Sequence, residues 1–273
     1  QDIRNTTVDT AEIVKNIGHS IFSEIYSPKK YKYGKSDFAY DQYVDDTNIG
    51  FLTGGVSLRV ITVANDYYNA PEQQFLMDSQ VNNEGIVLLS NKVSYFEELE
   101  NAAKIRKYVK QKNISQLPDS VQDIIRSRQA QAKRLEDSAK DQIEKAIVDA
   151  KFYVCGEKIE LKLDSAKGML EEVLRQLVEN VYSKLNLVNY YADSDADIKA
   201  ILNSEGEQSI MLGSGANNEF AVNEVSQWLE ERHFSHVPVS MGDVQRRYQA
   251  IPFGWREIDI AAIVARLIVS QRI

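Results

Sequence analysis

Apolar residues recur every four positions near the start of the chain. Ile13, Ile17, Ile21 and Ile25 share one face of residues 7–26, TVDTAEIVKNIGHSIFSEIY, and Val14, Phe22 and Tyr26 widen the stripe. That period predicts an amphipathic helix, with Asp9 or Thr10 as N-cap and Pro28 as the stop. The pattern then changes. FAYDQYV, VSLRVITV and GIVLLSN are short apolar or aromatic runs set apart by Gly, Asn and Pro, and they predict strands. Residues 86–89 are continuous enough for a buried strand. A helical period returns over residues 94–110 through Phe96, Leu99, Ala103 and Val109.

Pro118 and Asp119 supply helix-start chemistry, and no Gly or Pro follows until about residue 150. Val121, Ile125, Arg128, Ala132, Leu135, Ala139, Ile143, Ala146 and Ala150 keep a spacing of three and four, which predicts a long helix with a narrow seam of small residues, an arm or half of an antiparallel helical pair. KFYVCGEKIELKL alternates on either side of Gly156 and Glu157 and predicts a β-hairpin. A helix carrying Leu170, Leu174, Leu177, Val181 and Leu185 comes next. Residues 203–218 are polar and Gly-rich, as in a linker or flexible loop.

The last block places Val222, Val225, Trp228 and Leu229 on one helix. A second helix around MGDVQRRYQ, the PFGW turn and a final helix follow. The fold class expected is α+β, with an α+β region over 1–115, a long helix, hairpin and helix over 116–202, a linker or loop over 203–218, and a mostly helical helix-turn-helix or winged-helix-like block over 219–273.

Composition narrows the class. With 43% hydrophobic and 26% charged residues in 273, the chain has the makings of one large or two moderate cores. No stretch approaches the roughly eighteen consecutive apolar residues of a membrane-spanning helix, since even IAAIVARLIVS is interrupted by Arg266. Cys155 is the single cysteine, which excludes an internal disulfide and suits a reducing, cytoplasmic setting. The net charge of −8 argues against a protein that coats nucleic acid with its whole surface. The charge is uneven, however: residues 101–151 hold 12 Lys and Arg against 7 Asp and Glu, so any contact with a polyanion is local. The chain starts at Gln1 without a secretory signal and ends soon after a turn rich in aromatics, so a piece of a longer protein is expected.

Several motifs invite chemistry. YVDD, Tyr43–Asp46, matches the metal-binding tetrapeptide of reverse transcriptases, but two-metal phosphoryl transfer needs further carboxylates and far more sheet. Asp45 and Asp46 are expected to end a strand and turn the chain. MLGSGANNEF and FLTGGVSL lack the Gly-Lys-Ser/Thr end of a phosphate-binding loop and read as plain loops. His233, His236 and the remote Cys155 make a poor zinc set. No catalytic, cofactor-binding or metal-ligating residue is therefore expected.

Nucleic-acid contact has two candidates. In SPKKYKYGK, Lys29, Lys30, Lys32 and Lys35 alternate with Tyr31 and Tyr33, and the alternative is a solvated loop with its tyrosines turned inward. Arg246 and Arg247 fall on the helix that a helix-turn-helix would present outward, although Glu230, Glu231 and Asp243 are close by. Arg106, Lys107 and Lys110 read as a solvated helix face. In the structural turn, Pro252 fixes φ, Gly254 permits a sharp bend, and Phe253 and Trp255 pin the bend onto the core.

Taken in order, QDI, IFSEIYSPKKYKYGKSDFAYDQYVDD, KFYVCGEKIEL and PFGW resemble the BrxC/PglY-like family of large P-loop proteins in BREX bacteriophage-exclusion systems, over most of the chain. The resemblance implies a non-catalytic segment of a prokaryotic antiviral ATPase, lying downstream of the family's nucleotide site. ATP and Mg would be bound elsewhere in the parent. The partners it implies are other subunits of the defence complex, with DNA contact and self-association left open and no membrane. The alternatives are a free-standing DNA-binding regulator with a C-terminal helix-turn-helix and a nucleotidyl transferase using YVDD.

Overall fold

In the computed structural model, which describes residues 3, 5–50, 52, 55–111, 118–203 and 218–272, the chain divides into two units. One comprises residues 1–31 and 39–177, the other residues 32–38 and 178–273.

In the first unit, helix α1 (Thr10–His19) begins where Asp9 accepts a hydrogen bond from the Ala11 amide at 3.0 Å, and a π-helical turn over Ser20–Ile25 prolongs it. Ile13, Val14, Ile17, Ile21 and Phe22 are buried, so the four-residue spacing marks the inward face.

Seven strands form one mixed sheet: β1 (Lys30–Tyr33), β2 (Ser36–Val44), β3 (Thr47–Asn48), β4 (Val56–Ile61), β5 (Glu84–Leu88), β6 (Lys151–Val154) and β7 (Glu157–Ile159). Their order is β1-β2-β4-β5-β6-β7, with β3 paired beside β2. Strands β2, β4 and β5 run parallel, while β6 is antiparallel to β5 and β7 to β6. Every residue of β5 is buried, as in a strand covered on both faces. The SPKKYKYGK stretch, expected as a loop, contains β1 instead. Its period of two turns Tyr31 inward and leaves Lys30 and Lys32 exposed. The β6–β7 turn is Cys155–Gly156 rather than Gly156–Glu157. Both turn residues have positive φ, 50° and 85°, which suits the right-handed twist of a two-residue hairpin, and Glu157 pairs with Val154.

Helix α2 (Glu72–Val81) connects β4 to β5 and lays Phe75 inward, stacked on Tyr153 of β6 with ring centroids 5.2 Å apart. Helices α3 (Tyr95–Lys110) and α4 (Asp119–Val148) form an antiparallel pair, one of the two arrangements expected for the long helix. Gln142 donates to Glu98 at 2.6 Å near one end, and Arg106 pairs with Glu136 farther along. Ala102, Ile105 and Val109 pack with Ile125 and Ala132. The buried stripe of α3 is Tyr95, Leu99, Ala102, Ile105 and Val109, so the helix is rotated from the Phe96 and Ala103 face, with Tyr95 wholly inside. Helix α5 (Ala166–Val181) approaches the sheet at Gly85, where a Cβ would lie 2.6 Å from Val173 Cγ1. Only glycine leaves room for that approach.

The second unit holds α6 (Asp195–Leu202), α7 (Glu219–Phe234), α8 (Met241–Gln249) and α9 (Glu257–Val269). Most of the Gly-rich stretch expected as a linker, residues 204–217, lies outside the described residues. At its far side Asn218 is buried with φ 65°, and its side chain accepts from the Asn189 and Tyr190 amides at 2.8 and 2.9 Å. Helix α9 is the most apolar of the four and buries Asp259, Ile260, Ala262, Ile263, Ala265 and Leu267. Among the described residues no helix is long and apolar enough to cross a membrane.

Candidate interaction site

The PFGW turn organises the C-terminal unit. The Ile251–Pro252 peptide is cis and Gly254 has φ 65°. A Cβ at Gly254 would lie 2.6 Å from the Tyr182 ring and 2.8 Å from that of Phe38. Phe253 and Trp255 are buried, 3% and 2% exposed. Trp255 stacks on Tyr248 of α8, centroids 4.8 Å apart and planes 8° from parallel, while Phe253 meets Tyr248 edge-on at 4.6 Å. The turn is tied down by backbone as well: Trp255 Nε1 donates to the Lys184 carbonyl at 3.0 Å, and the Lys184 amide donates to the Pro252 carbonyl at 3.0 Å. Trp228 of α7 closes the cluster edge-on against Tyr248 at 5.9 Å.

Cations cover this cluster. The Arg247 guanidinium carbon lies 5.1 Å from the centre of the Trp228 ring and 5.6 Å and 5.7 Å from those of Tyr248 and Phe253. Arg232 lies 5.6 Å from the Trp228 ring centre, and Lys184 Nζ 5.0 Å from that of Phe253. Such placements draw each cation to the negative face of the ring. Burial pushes the Tyr248 hydroxyl up to about 12, against the lowering pull of the Arg247 guanidinium. Arg246 stands apart: it pairs with Asp243, whose carboxylate also closes a capping box with Ser240 at the start of α8. The two neighbouring arginines therefore have different surroundings, one on a carboxylate and one on aromatic faces.

Elsewhere in the unit, Arg256 and the buried Asp259 form an ion pair at 2.7 Å, and together they grip Ala192: Asp259 accepts from its amide and Arg256 donates to its carbonyl. Lys184 pairs with Glu224 at 3.0 Å. Of the lysines in SPKKYKYGK, Lys35 pairs with Asp193 at 2.6 Å. Lys29 donates to the Phe22 carbonyl at 3.4 Å, and Lys30 and Lys32 point outward. Tyr31 is buried and Tyr33 donates to Glu179 at 3.0 Å. Their alternation with lysine thus reflects strand geometry.

The YVDD aspartates make the turn between β2 and β3. Asp45, with φ 53°, accepts from the Thr62 amide at 2.7 Å and from the Thr62 hydroxyl at 2.8 Å. Burial raises its pKa, against the lowering effect of the two Thr62 donors. Asp46 accepts from Asn65 at 3.1 Å, and Arg59 bonds the Asp45 carbonyl at 2.9 Å. Both carboxylates of the turn are thereby engaged in local structure. An acid-rich cleft of 680 Å³ in the first unit is lined by Glu24, Asp141, Glu144, Asp149 and Asp164 together with Lys145 and Lys167. Among the described residues no group of three or more His, Cys, Asp and Glu side chains is placed to hold a metal ion.

Arg232 was not singled out in the sequence, although it stands one turn after Trp228 on a helix, a spacing that brings side chains together. Asn218 carries no local signal, because its partner Asn189 lies 29 residues away, and the Arg256–Asp259 spacing does not reveal that Asp259 also holds Ala192, 67 residues away.

No solved structure matches the chain. Residues 6–177 match the fourth domain of the BREX ATP-binding protein BrxC, described as having a six-stranded β-sheet. The six strands of the continuous path β1-β2-β4-β5-β6-β7 agree with that description. Residues 184–273 match the winged helix-turn-helix domain of the same protein. The first match ends at residue 177, where the main part of the first unit also ends, although residues 32–38 lie in the first match and the second unit; the order of the short motifs already pointed to the same family. This chain belongs to the BrxC family of BREX ATP-binding proteins, of which it spans the fourth domain and the winged helix-turn-helix domain.

Proposed function

We propose that this chain is a non-catalytic connecting segment of its BREX defence protein, holding other subunits of the complex in the cytoplasm, while ATP and its magnesium are bound elsewhere in the parent. One observation supports this reading above the others: the winged-helix region is acidic and several of its cations are already paired. Residues 184–273 contain 8 Lys and Arg against 12 Asp and Glu. Lys184, Arg246 and Arg256 pair with carboxylates of the same region. A duplex needs a row of free cations to displace its counterions, whereas a protein partner needs apolar and hydrogen-bonding surface. Phe220 and Phe234, 72% and 80% exposed, are apolar surface of that kind.

DNA contact is the second reading, favoured by the exposed Lys29, Lys30 and Lys32. Hydrogen exchange on the parent protein separates the two. Assembly with the other subunits of its defence system is expected to protect amides in residues 218–272, and added duplex DNA is not. Protection by DNA alone would refute the connecting role. In that case, replacing the three lysines with alanine should lower the slope of log affinity against log salt by about 0.9 for each lost phosphate contact.

A further inference from the structure

We infer that Trp228, Arg232 and Arg247 form a recognition site for a carboxylate carried by a protein partner, an inference that rests on the protein-contact reading above. Trp228 is 8% exposed, and its Nε1 is fully buried with no hydrogen-bond partner among the described residues. An indole nitrogen can only donate, so it lacks an acceptor. Buried donors in folded proteins are nearly always satisfied, so this indole lacks an interaction that such donors usually have. Trp255 is the comparison inside the same unit: equally buried, it donates to a carbonyl at 3.0 Å.

The second observation is independent of the first. Arg232 and Arg247 come from different helices, α7 and α8, yet both guanidinium groups are held within 5.6 Å of the centre of the same indole. Both side chains are exposed, and neither forms an ion pair among the described residues, in contrast to Arg246 and Arg256. Two like charges kept at one ring repel each other, and a nearby anion relieves that repulsion. The planar guanidinium fork matches the two oxygens of a carboxylate, and stacking on the ring fixes its orientation in advance. Arg, Trp and Tyr are also the residue types in which protein-interface energy concentrates.

The occupant follows from charge. Glu224 and Glu231 stand on the same helix as Trp228, the first engaged by Lys184. A polyanion would bring many charges against those carboxylates, whereas a single Asp or Glu side chain, or a chain terminus, brings one charge to the two arginines. The surroundings therefore select an isolated carboxylate in an otherwise uncharged segment over a nucleic-acid backbone.

The test reads the two indole N–H signals of the full chain by ¹H–¹⁵N NMR, with Trp255 as internal reference. The probe is a blocked Ala-Ala-Glu-Ala tetrapeptide, with Ala-Ala-Gln-Ala as control. The glutamate peptide is expected to move the Trp228 signal saturably and leave Trp255 in place, and the glutamine peptide to move neither. Arg232→Gln and Arg247→Gln should each weaken the response about tenfold or more; Arg232→Gln decides alone if the other variant does not fold. A silent Trp228, or a response unchanged in both variants, overturns the site. Short duplex DNA that moves Trp228 at lower concentration than the peptide overturns the carboxylate occupant in favour of a nucleic acid. Amide protection on subunit assembly together with a silent Trp228 removes this site and leaves the protein-contact reading standing. A Trp228 response without such protection keeps the carboxylate site and removes that reading.

Discussion

Replacing Trp255 with alanine tests whether the aromatic turn holds the C-terminal unit together. The indole is 2% exposed, stacked on Tyr248 at 4.8 Å and set edge-on to Phe253 at 5.1 Å, and its N–H satisfies the Lys184 carbonyl. Truncating a fully buried Trp to Ala costs about 3–5 kcal/mol. Trp255→Phe keeps most of the stacking surface but leaves the carbonyl without its donor, a loss of about 1–3 kcal/mol. The order expected is therefore wild type, then Phe, then Ala. Both tryptophans, Trp228 and Trp255, lie in the second unit, so intrinsic fluorescence during urea unfolding reports that unit alone. With a urea slope of about 2 kcal/mol/M, Trp255→Ala should lower the midpoint by roughly 1.5–2.5 M. A midpoint equal to wild type would refute the pinning role. Equal losses in the Phe and Ala variants would show that the hydrogen bond matters and the stacking does not.

Other substitutions probe separate features. Gly85→Ala places a methyl 2.6 Å from Val173 and should cost about 1–3 kcal/mol through overpacking, with much of the loss recovered when Val173→Ala is added; additive losses in circular-dichroism melts would refute that contact. Asp259→Ala leaves Arg256 beside an empty site and should cost about 3–5 kcal/mol, read by the same fluorescence titration, with an unchanged midpoint speaking against the clamp on Ala192. Asp45 has a raised pKa in the fold, so its protonated form is the better tolerated, and its stabilising contribution is present at low pH and lost as pH rises through the folded pKa. Asp45→Asn should therefore gain on wild type between acidic pH and pH 7 in urea unfolding followed by circular dichroism; a gap between the two proteins that does not change with pH would contradict this.

Local patterns gave away the elements whose shape is decided locally. Ile13, Ile17 and Ile21 line one face because a helix repeats in under four residues, and Pro118 with Asp119 opens α4 because an opening helix tolerates both. The KYKY stretch was harder, since four residues of alternation look the same in a solvated loop, and the buried Tyr31 decides the matter only once neighbouring strands exist. The sheet order was invisible: β6 lies beside β5 through Leu88 and Lys151, which no short-range period connects. The candidate site divides in the same way. Phe253 and Trp255 announced a pinned turn by composition, but the convergence of Arg232 and Arg247 on Trp228 requires two helices to meet. Arg246 and Arg247, adjacent in sequence, look equivalent until one finds Asp243 and the other finds aromatic rings.

The C-terminal unit is not continuous in the chain, and that matters while the protein is being made. Its first piece, Lys32–Phe38, leaves the ribosome long before the rest. Tyr33 then waits for Glu179, 146 residues later, and Phe38 for Tyr182, on which its ring packs at 4.6 Å. At about 5–20 residues per second the delay is roughly 7–30 s. During that interval the Phe38 side chain has no Tyr182 ring to rest on. A gene fragment that begins at residue 178 would make the opposite error, presenting Tyr182 and the Gly254 turn without the phenylalanine that covers them.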